Sequence, residues 1–314
     1  MNRQNDSARG PLFGPLILAS AVFLWGSSFI VQSVSAEKLG PFSFNMTRQL
    51  LGAAALLLLF LVLEGRRRKG LGPDGLRARR DATRKGILRG LLLGLFLCLA
   101  SNLQQAAFDY STAGKIAFIT AGYMFIVPIL GLFLGKRLPW LTWVCVAVGF
   151  LGMFLLCVDP AELGELNRGD LLTLGCSVAY AVHILLIERF SQDSDGLLLS
   201  CVQFFCAGLI SAVLAFVFET PGPGALRECF LPCLPYILYS GLLVCAVAYT
   251  CQIIGQKYTE ATVASLIMCL EGVVAALLSA ILLKERMLPR EIAGAALMLA
   301  ATAVSQTPHK KTGL

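Results

Sequence analysis

The chain has 314 residues, of which 57% are hydrophobic and only 14% charged, with a formal net charge of +7. Soluble domains carry about 45–50% apolar and about 25% charged residues, so a water-soluble fold of this length is excluded. The composition is that of an integral membrane protein.

A run of about 18 apolar residues suffices to cross a bilayer. Ten such spans occur, near residues 12–32, 42–63, 87–108, 115–135, 140–158, 170–188, 197–218, 235–256, 262–283 and 289–306. Arg3 and Arg9 precede the first, and Val34-Ser35-Ala36 resembles a leader cleavage site, but the apolar run is too long for a leader and reads as a span. The basic loop at 64–90 includes Arg66, Arg67, Arg68, Lys69, Arg79, Lys85 and Arg89, whereas DPAELGELNRGD after the fifth span is net acidic. Positive loops stay inside. The basic loop is therefore expected to be cytoplasmic, with both termini, the Lys136-Arg137 loop and the His309-Lys310-Lys311 tail. The Lys284-Glu285-Arg286 turn then falls outside, its charge offset by Glu285 and Glu291. The basic loop needs no nucleic acid to explain it, since topology and lipid headgroups account for clustered Lys and Arg. Eleven cysteines lie mostly within spans; Cys229 and Cys233, beside the loop ETPGPGALRECFLPC, are either two free thiols or a disulfide.

The chain repeats itself with a period of about 150 residues. LQQAAFDYSTA (Leu103 to Ala113) pairs with CQIIGQKYTEA (Cys251 to Ala261), and LWGSSFIV (Leu24 to Val31) with AYAVHILL (Ala179 to Leu186). Residues 1–160 and 161–314 thus form two five-span units. An odd number of spans forces the second copy to cross the bilayer in the opposite sense. The expected fold is all-α, with ten transmembrane helices arranged as two inverted five-helix repeats. Secondary transporters recurrently use this design, with the solute site near the midplane between the repeats.

LWGSSFIVQ, FNMTRQLLGAAALLL, QQAAFDYSTAGKIAFITAGYMFIVPILGLFLGKRL and LIMCLEGVVAALLSAILLKER, taken in this order, resemble the EamA family of the drug/metabolite transporter superfamily. The resemblance spans nearly the whole chain. It implies a ten-helix transporter of small metabolites or amino acids, often moving them outward by alternating access. One departure is Gly272, where the family usually has proline after the buried glutamate; glycine permits bending but does not enforce a break in the ninth span.

Ionisable residues at membrane depth cost about 2.5–3.5 kcal/mol on insertion scales and mark functional candidates. At about 1.5 Å per residue, Glu271 lies roughly 14 Å into its span and His183 at a similar depth, while Arg48 is shallower, roughly 10 Å in. Glu271 and Arg48 are candidates for coupling or counter-charge, with helix packing or a mutual pair as the alternative for Glu271. Its repeat mate is Tyr123. The candidate substrate-binding set is Trp25, Ser28, Asn102, Gln104, Thr120, Tyr123, Tyr180, His183, Tyr249 and Gln252. Several pair across the repeat: Trp25 with Tyr180, Ser28 with His183, and Gln104 with Gln252. Such a polar and aromatic lining suits small solutes with hydrogen-bonding and apolar parts.

An enzyme is disfavoured. His183 and His309 are the only histidines, and no HExxH, Walker A or Gly-x-Ser-x-Gly motif occurs. The expectation is a secondary active transporter in a bacterial plasma (inner) membrane, exporting amino acids or related metabolites, without cofactor or metal. Its partners are a small-molecule substrate, the lipid bilayer and protons as the candidate coupling ion; monomer and homodimer both remain open. Efflux of organic cations is the alternative, with Glu271 as counter-charge and Trp25, Tyr123 and Tyr180 as cation–π partners.

Overall fold

The computed structural model describes residues 12–158, 166–219, 226–282 and 287–307. The basic N-terminal flank, most of the acidic fifth loop, the Lys284-Glu285-Arg286 turn and the C-terminal tail, all used above for topology, lie outside the described residues.

The described residues are helical throughout. In chain order the elements are α1 (Phe13–Ala36), α2 (Pro41–Arg68), α3 (Pro73–Ala107), α4 (Ala113–Thr120), α5 (Tyr123–Phe133), α6 (Trp140–Cys157), α7 (Arg168–Ser191) and α8 (Gly196–Phe218). A five-residue π turn (Leu226–Phe230) leads into α9 (Leu231–Tyr239), a π-helical stretch (Ser240–Ala248) and α10 (Tyr249–Gln256). Then come α11 (Ala261–Met268), α12 (Glu271–Leu282) and α13 (Pro289–Ser305).

Local chemistry sets the starts. Pro41, Pro73 and Pro289 occupy first-turn positions, where a missing N–H costs nothing. Asn167 and Asp170 form a reciprocal capping box on α7, and the Asp195 carboxylate accepts from Leu197 N at 3.0 Å on α8. Arg66, Arg67 and Arg68 close α2, where cations complement the helix dipole.

Nine helical stretches among the described residues are long and apolar enough to cross a membrane. The tenth expected span is α13, with 17 residues. At about 1.5 Å per residue it is roughly 26 Å long, a little short of a hydrocarbon core of about 30 Å. Two other expectations change. The basic segment at 64–90 is mostly not loop, because α2 runs to Arg68 and α3 starts at Pro73, extending well ahead of its apolar part. The fourth and ninth spans are each broken in the middle, at Ala121-Gly122 and Cys269-Leu270.

The principal packing partners of the helices before residue 158 lie after residue 166. α2 packs along α8, α6 along α13, α3 against α7 and α8, and α1 against α10 and α12. Backbones come close at several of these crossings; a Cβ on Gly152 would sit 2.7 Å from Gly294 O. The ends of the molecule differ. At the end carrying the arginines, the basic end, Arg67 pairs with Asp195, Glu64 with Arg68 and Arg79, and Asp193 with Lys85 and Arg89. At the opposite end Phe42 N and Ser43 N each donate to the Glu219 carboxylate at 2.7 Å, capping α2 with the end of α8. Cys229 and Cys233 are free thiols, Cys233 fully buried beside Leu39, Phe44 and Ile237.

Candidate functional site

The two helix breaks meet at the centre. At the first, Gly122 N bonds Ile119 O (3.0 Å) and Met124 N bonds Ala121 O (2.9 Å); at the second, Leu270 N bonds Ile267 O (3.1 Å) and Gly272 N bonds Cys269 O (3.2 Å). Both are single turns of i to i+3 bonding inside otherwise α-helical spans. Cys269 Sγ lies 3.8 Å from Ala121 O, joining one break to the other. Each break ends with a side chain at the start of the next helix: Tyr123 opens α5 and Glu271 opens α12.

Both residues line a small central cavity of about 50 Å³. α1 contributes Trp25, Ser28, Phe29 and Gln32; α2 contributes Arg48, α3 Gln104 and α4 Thr120. From the later half come Tyr180 and Ile184 on α7, Val244 in the π-helical stretch, Tyr249 and Gln252 on α10, and Met268 on α11. π-helical turns recur at functional sites, and here the widened coil leads directly into Tyr249.

A hydrogen-bonded wall runs through the cavity. Gln104 Nε2 donates to Thr120 Oγ1 (3.2 Å), Tyr180 Oη donates to Gln104 Oε1 (3.4 Å), and the Tyr180 and Tyr249 hydroxyls lie 3.3 Å apart. The Trp25 and Tyr249 rings meet edge to face at 5.0 Å. Other groups are left over. Trp25 Nε1, Gln32 Oε1 and Gln252 Oε1 are buried without a hydrogen-bond partner. Glu271 makes no hydrogen bond or ion pair among the described residues, and Arg48, only 4% exposed, bonds through Nε alone, to Asn45 Oδ1 at 2.8 Å. Buried polar groups without partners are costly and rare, and a carboxylate more so. One pocket thus presents a guanidinium, a carboxyl group, an indole N–H and two amide oxygens to whatever enters it.

Ten of the twelve expected site residues share this cavity: Trp25, Ser28, Gln104, Thr120, Tyr123, Tyr180, Tyr249, Gln252, Arg48 and Glu271. Two are corrected. Asn102 is turned away into the α2–α3–α8 contact, where its Nδ2 bonds Cys98 O and Ser211 Oγ, both at 2.9 Å. His183 is fully buried against α8, its Nε2 3.0 Å from Gln203 Oε1, so it is not the mate of Ser28 in the lining. Arg48 is buried in the cavity wall. Gln32 was missed, although a glutamine within an apolar span is the same signal that marked Gln104.

Access differs at the two ends. One turn beyond Ile184 toward the basic end, the Glu188 carboxylate pairs with Lys136 and accepts from Ala261 N at 3.1 Å, tying α7, the turn after α5 and the start of α11. Toward the opposite end a larger cleft of about 710 Å³ opens between α1, α4, α6, α12 and α13, sharing Phe29 with the cavity. Ser33, Val34, Ala113, Gly114 and Glu291 are among its walls.

A model described as the EamA-like transporter family matches the chain twice, over residues 12–158 and 167–307. The chain belongs to the EamA-like transporter family. It is therefore a multi-pass membrane protein of a family of transporters. Relatives named only as uncharacterized transporters include one from Archaeoglobus fulgidus, 29% identical over 305 residues, covering 96% of this chain and 89% of that protein. Others are from Clostridium kluyveri, 23% identical with 94% and 93% coverage, and Bacillus subtilis, 23% identical with 96% and 97% coverage. A solved crystal structure superposes with a TM-score of 0.72 at 17% identity, over 93% of this chain and 96% of that one, a likeness of fold.

Proposed function

We propose that this EamA-like protein is a secondary transporter that carries small zwitterionic metabolites, amino acids or close relatives, by alternating access. The observation that carries the proposal is the central cavity, walled by helices of both halves and holding the Glu271 carboxyl group without a hydrogen-bond or ion-pair partner among the described residues. Ten membrane helices in two inverted repeats, residues 1–160 and 161–314, are part of it. In support, the family model matches each half separately. In addition, the chain touches itself between residues 148 apart, at Cys201 Sγ to Ala53 O and at Cys269 Sγ to Ala121 O. Two copies related by an in-plane axis place corresponding residues together at that axis.

Alternating access needs one end closed while the other opens. Glu188 closes the basic end, and the cleft leads away from the cavity at the other. With the basic end cytoplasmic, as the charge distribution favours, this arrangement faces outward, in a bacterial plasma membrane with both termini inside. Glu271 supplies the negative charge of the site, as counter-charge to an ammonium or by exchanging a proton with it. Efflux of organic cations is the second reading, favoured by the aromatic rings of Trp25, Tyr123 and Tyr180 beside Glu271.

The test is counterflow of radiolabelled L-phenylalanine by the full-length protein in proteoliposomes, with Glu271→Gln alongside, between pH 6 and pH 8. Saturable wild-type counterflow, lost or made insensitive to pH in Glu271→Gln, is the expected result. Equal counterflow by both proteins at every pH would remove Glu271 from the mechanism. Exchange of phenethylamine with no exchange of phenylalanine would favour the cation reading.

A further inference from the structure

Arg48 is held by side chains that never reach the cavity. Its Nε donates to Asn45 Oδ1 at 2.8 Å, and its guanidinium carbon lies 5.2 Å from the centre of the fully buried Phe44 ring. Asn45 is itself fixed: its Nδ2 donates to Asn102 Oδ1 (2.9 Å) and to Ser101 O (3.0 Å). Asn102 is anchored to its own helix through Cys98 O and to α8 through Ser211 Oγ, each at 2.9 Å. Gln49 Nε2 closes the cluster on Ser101 Oγ at 2.9 Å. The side chains of Asn45, Gln49, Ser101, Asn102 and Ser211 are all buried, and every amide position of the two asparagines is bonded.

This arrangement spends one guanidinium N–H on the protein and leaves the terminal nitrogens without a partner among the described residues, in a side chain that lines the cavity. A guanidinium presents its donors as a planar fork that matches a carboxylate with two parallel hydrogen bonds. Pinning Nε and the ring face fixes the plane of that fork, which a flexible side chain would otherwise have to order at each binding event. Arginine held merely for charge would need no such second layer.

We propose that Arg48 is the carboxylate subsite of the cavity and that Asn45 and Asn102 are positioning residues that aim its fork at the ligand, with Ser211 tying them to α8. The proposal rests on the transport reading above and assigns its solute a polarity: carboxylate at Arg48, ammonium toward Glu271. It also gives Asn102 a role that its turned-away position otherwise lacks.

The experiment compares the half-saturating concentrations for counterflow of L-phenylalanine and of phenethylamine, which lacks the carboxylate, in full-length wild type, Asn102→Leu and Asn45→Ala. Thr250→Ala is the control. It deletes a part-buried hydrogen bond of 2.8 Å to Ser200 that does not touch Arg48. The expected result is a rise of about tenfold for L-phenylalanine in both asparagine variants, equivalent to about 1.4 kcal/mol of lost binding. Phenethylamine should stay within about twofold of wild type, and Thr250→Ala should spare both solutes. Asn45→Ala removes the acceptor of Nε directly and stands in should Asn102→Leu not accumulate. Parallel weakening of both solutes would reduce the asparagines to structural groups and overturn the proposal, as would unchanged phenylalanine. A wild type that exchanges phenethylamine but not phenylalanine removes the carboxylate subsite and leaves transport standing. A wild type that exchanges neither removes the transport reading for this solute class and the inference with it.

Discussion

Gly26 is where α1 touches the backbone that carries Glu271. A Cβ built on it would lie 2.7 Å from Glu271 O and 2.7 Å from Val274 Cβ, where ordinary contacts begin at 3.4 Å. Gly26→Ala therefore forces α1 and the start of α12 apart by about 0.7 Å, since carbonyl and β-carbon atoms cannot swing aside. Overpacking of this kind costs about 1–3 kcal/mol. A second glycine separates stability from function. Gly90→Ala meets Val202 Cβ at 2.6 Å and Val202 Cγ1 at 2.8 Å, a comparable conflict at the α3–α8 contact, away from the cavity. Both variants should melt lower than wild type by similar amounts in detergent. Only Gly26→Ala shifts Glu271 and the neighbouring Trp25, and misplacement approaching 1 Å costs up to about a hundredfold in a preorganised site. Counterflow should accordingly fall at least tenfold for Gly26→Ala and by less than about threefold for Gly90→Ala. Wild-type counterflow in Gly26→Ala, or equal losses in the two variants, would refute the placement of Glu271 in the working site.

Three further outcomes follow from contacts at the ends of the helices. Glu188→Ala and Lys136→Ala should each lower the melting temperature, and the double variant should reveal a coupling of about 0.5–1 kcal/mol, since the pair is half-buried and crosses three elements; zero coupling would mean that the pair does not hold the basic end. Asp193 lies between α7 and α8, where hydrogen bonds from Arg89 and Lys85 lower its carboxyl from 3.8 to about 2. A depressed carboxyl stabilises the fold above its unfolded value and loses that contribution as pH falls toward 2. Asp193→Asn should thus melt lower at pH 7, by only about 0.2–1 kcal/mol because the carboxylate is half-exposed, and the gap should narrow below pH 4 and close near pH 2; a gap that widens with acid would contradict it. Maleimide should label Cys229 promptly and Cys233 only after unfolding, as their burial dictates, whereas no labelling of either in unreduced, unfolded protein would reveal a disulfide instead.

Much of the site was legible because polar and aromatic residues at membrane depth have few places to go. Gln104, Thr120, Tyr180, Tyr249 and Gln252 were found by that logic alone. Asn102 shows its limit. A helix turns about 100° per residue, so Asn102 and Gln104 project roughly 200° apart and cannot both face one cavity. Depth marks a residue as needing a partner; the angle decides whether that partner is solute or protein. His183 fails for a related reason. Its neighbours Tyr180 and Ile184 line the cavity, but Gln203 on α8, unremarked in the sequence, offers a closer acceptor. Depth alone left two directions open to the long Arg48 side chain, outward to headgroups or inward, and Asn45 one turn earlier draws its guanidinium into the wall.

The broken ninth span was the least legible feature, because the sequence rule for a break asks for proline and finds Gly272. Here the break is held from outside the helix. Met153 packs so closely on Gly272 that a Cβ there would meet Met153 Cε at 2.7 Å, and Cys269 Sγ reaches across to Ala121 O of the other break. The tip of Met153 on α6 thus rests on the turn itself, beside the residue where a proline would have stood. The Cys269 contact explains why Tyr123 and Glu271 face one cavity: each is the first residue after a break, and the two breaks touch. A break fixed by tertiary contact rather than by a missing N–H can straighten when its neighbours move apart. Motion of α6 against α12 would then be transmitted directly to Glu271, in a way that a proline kink would not allow.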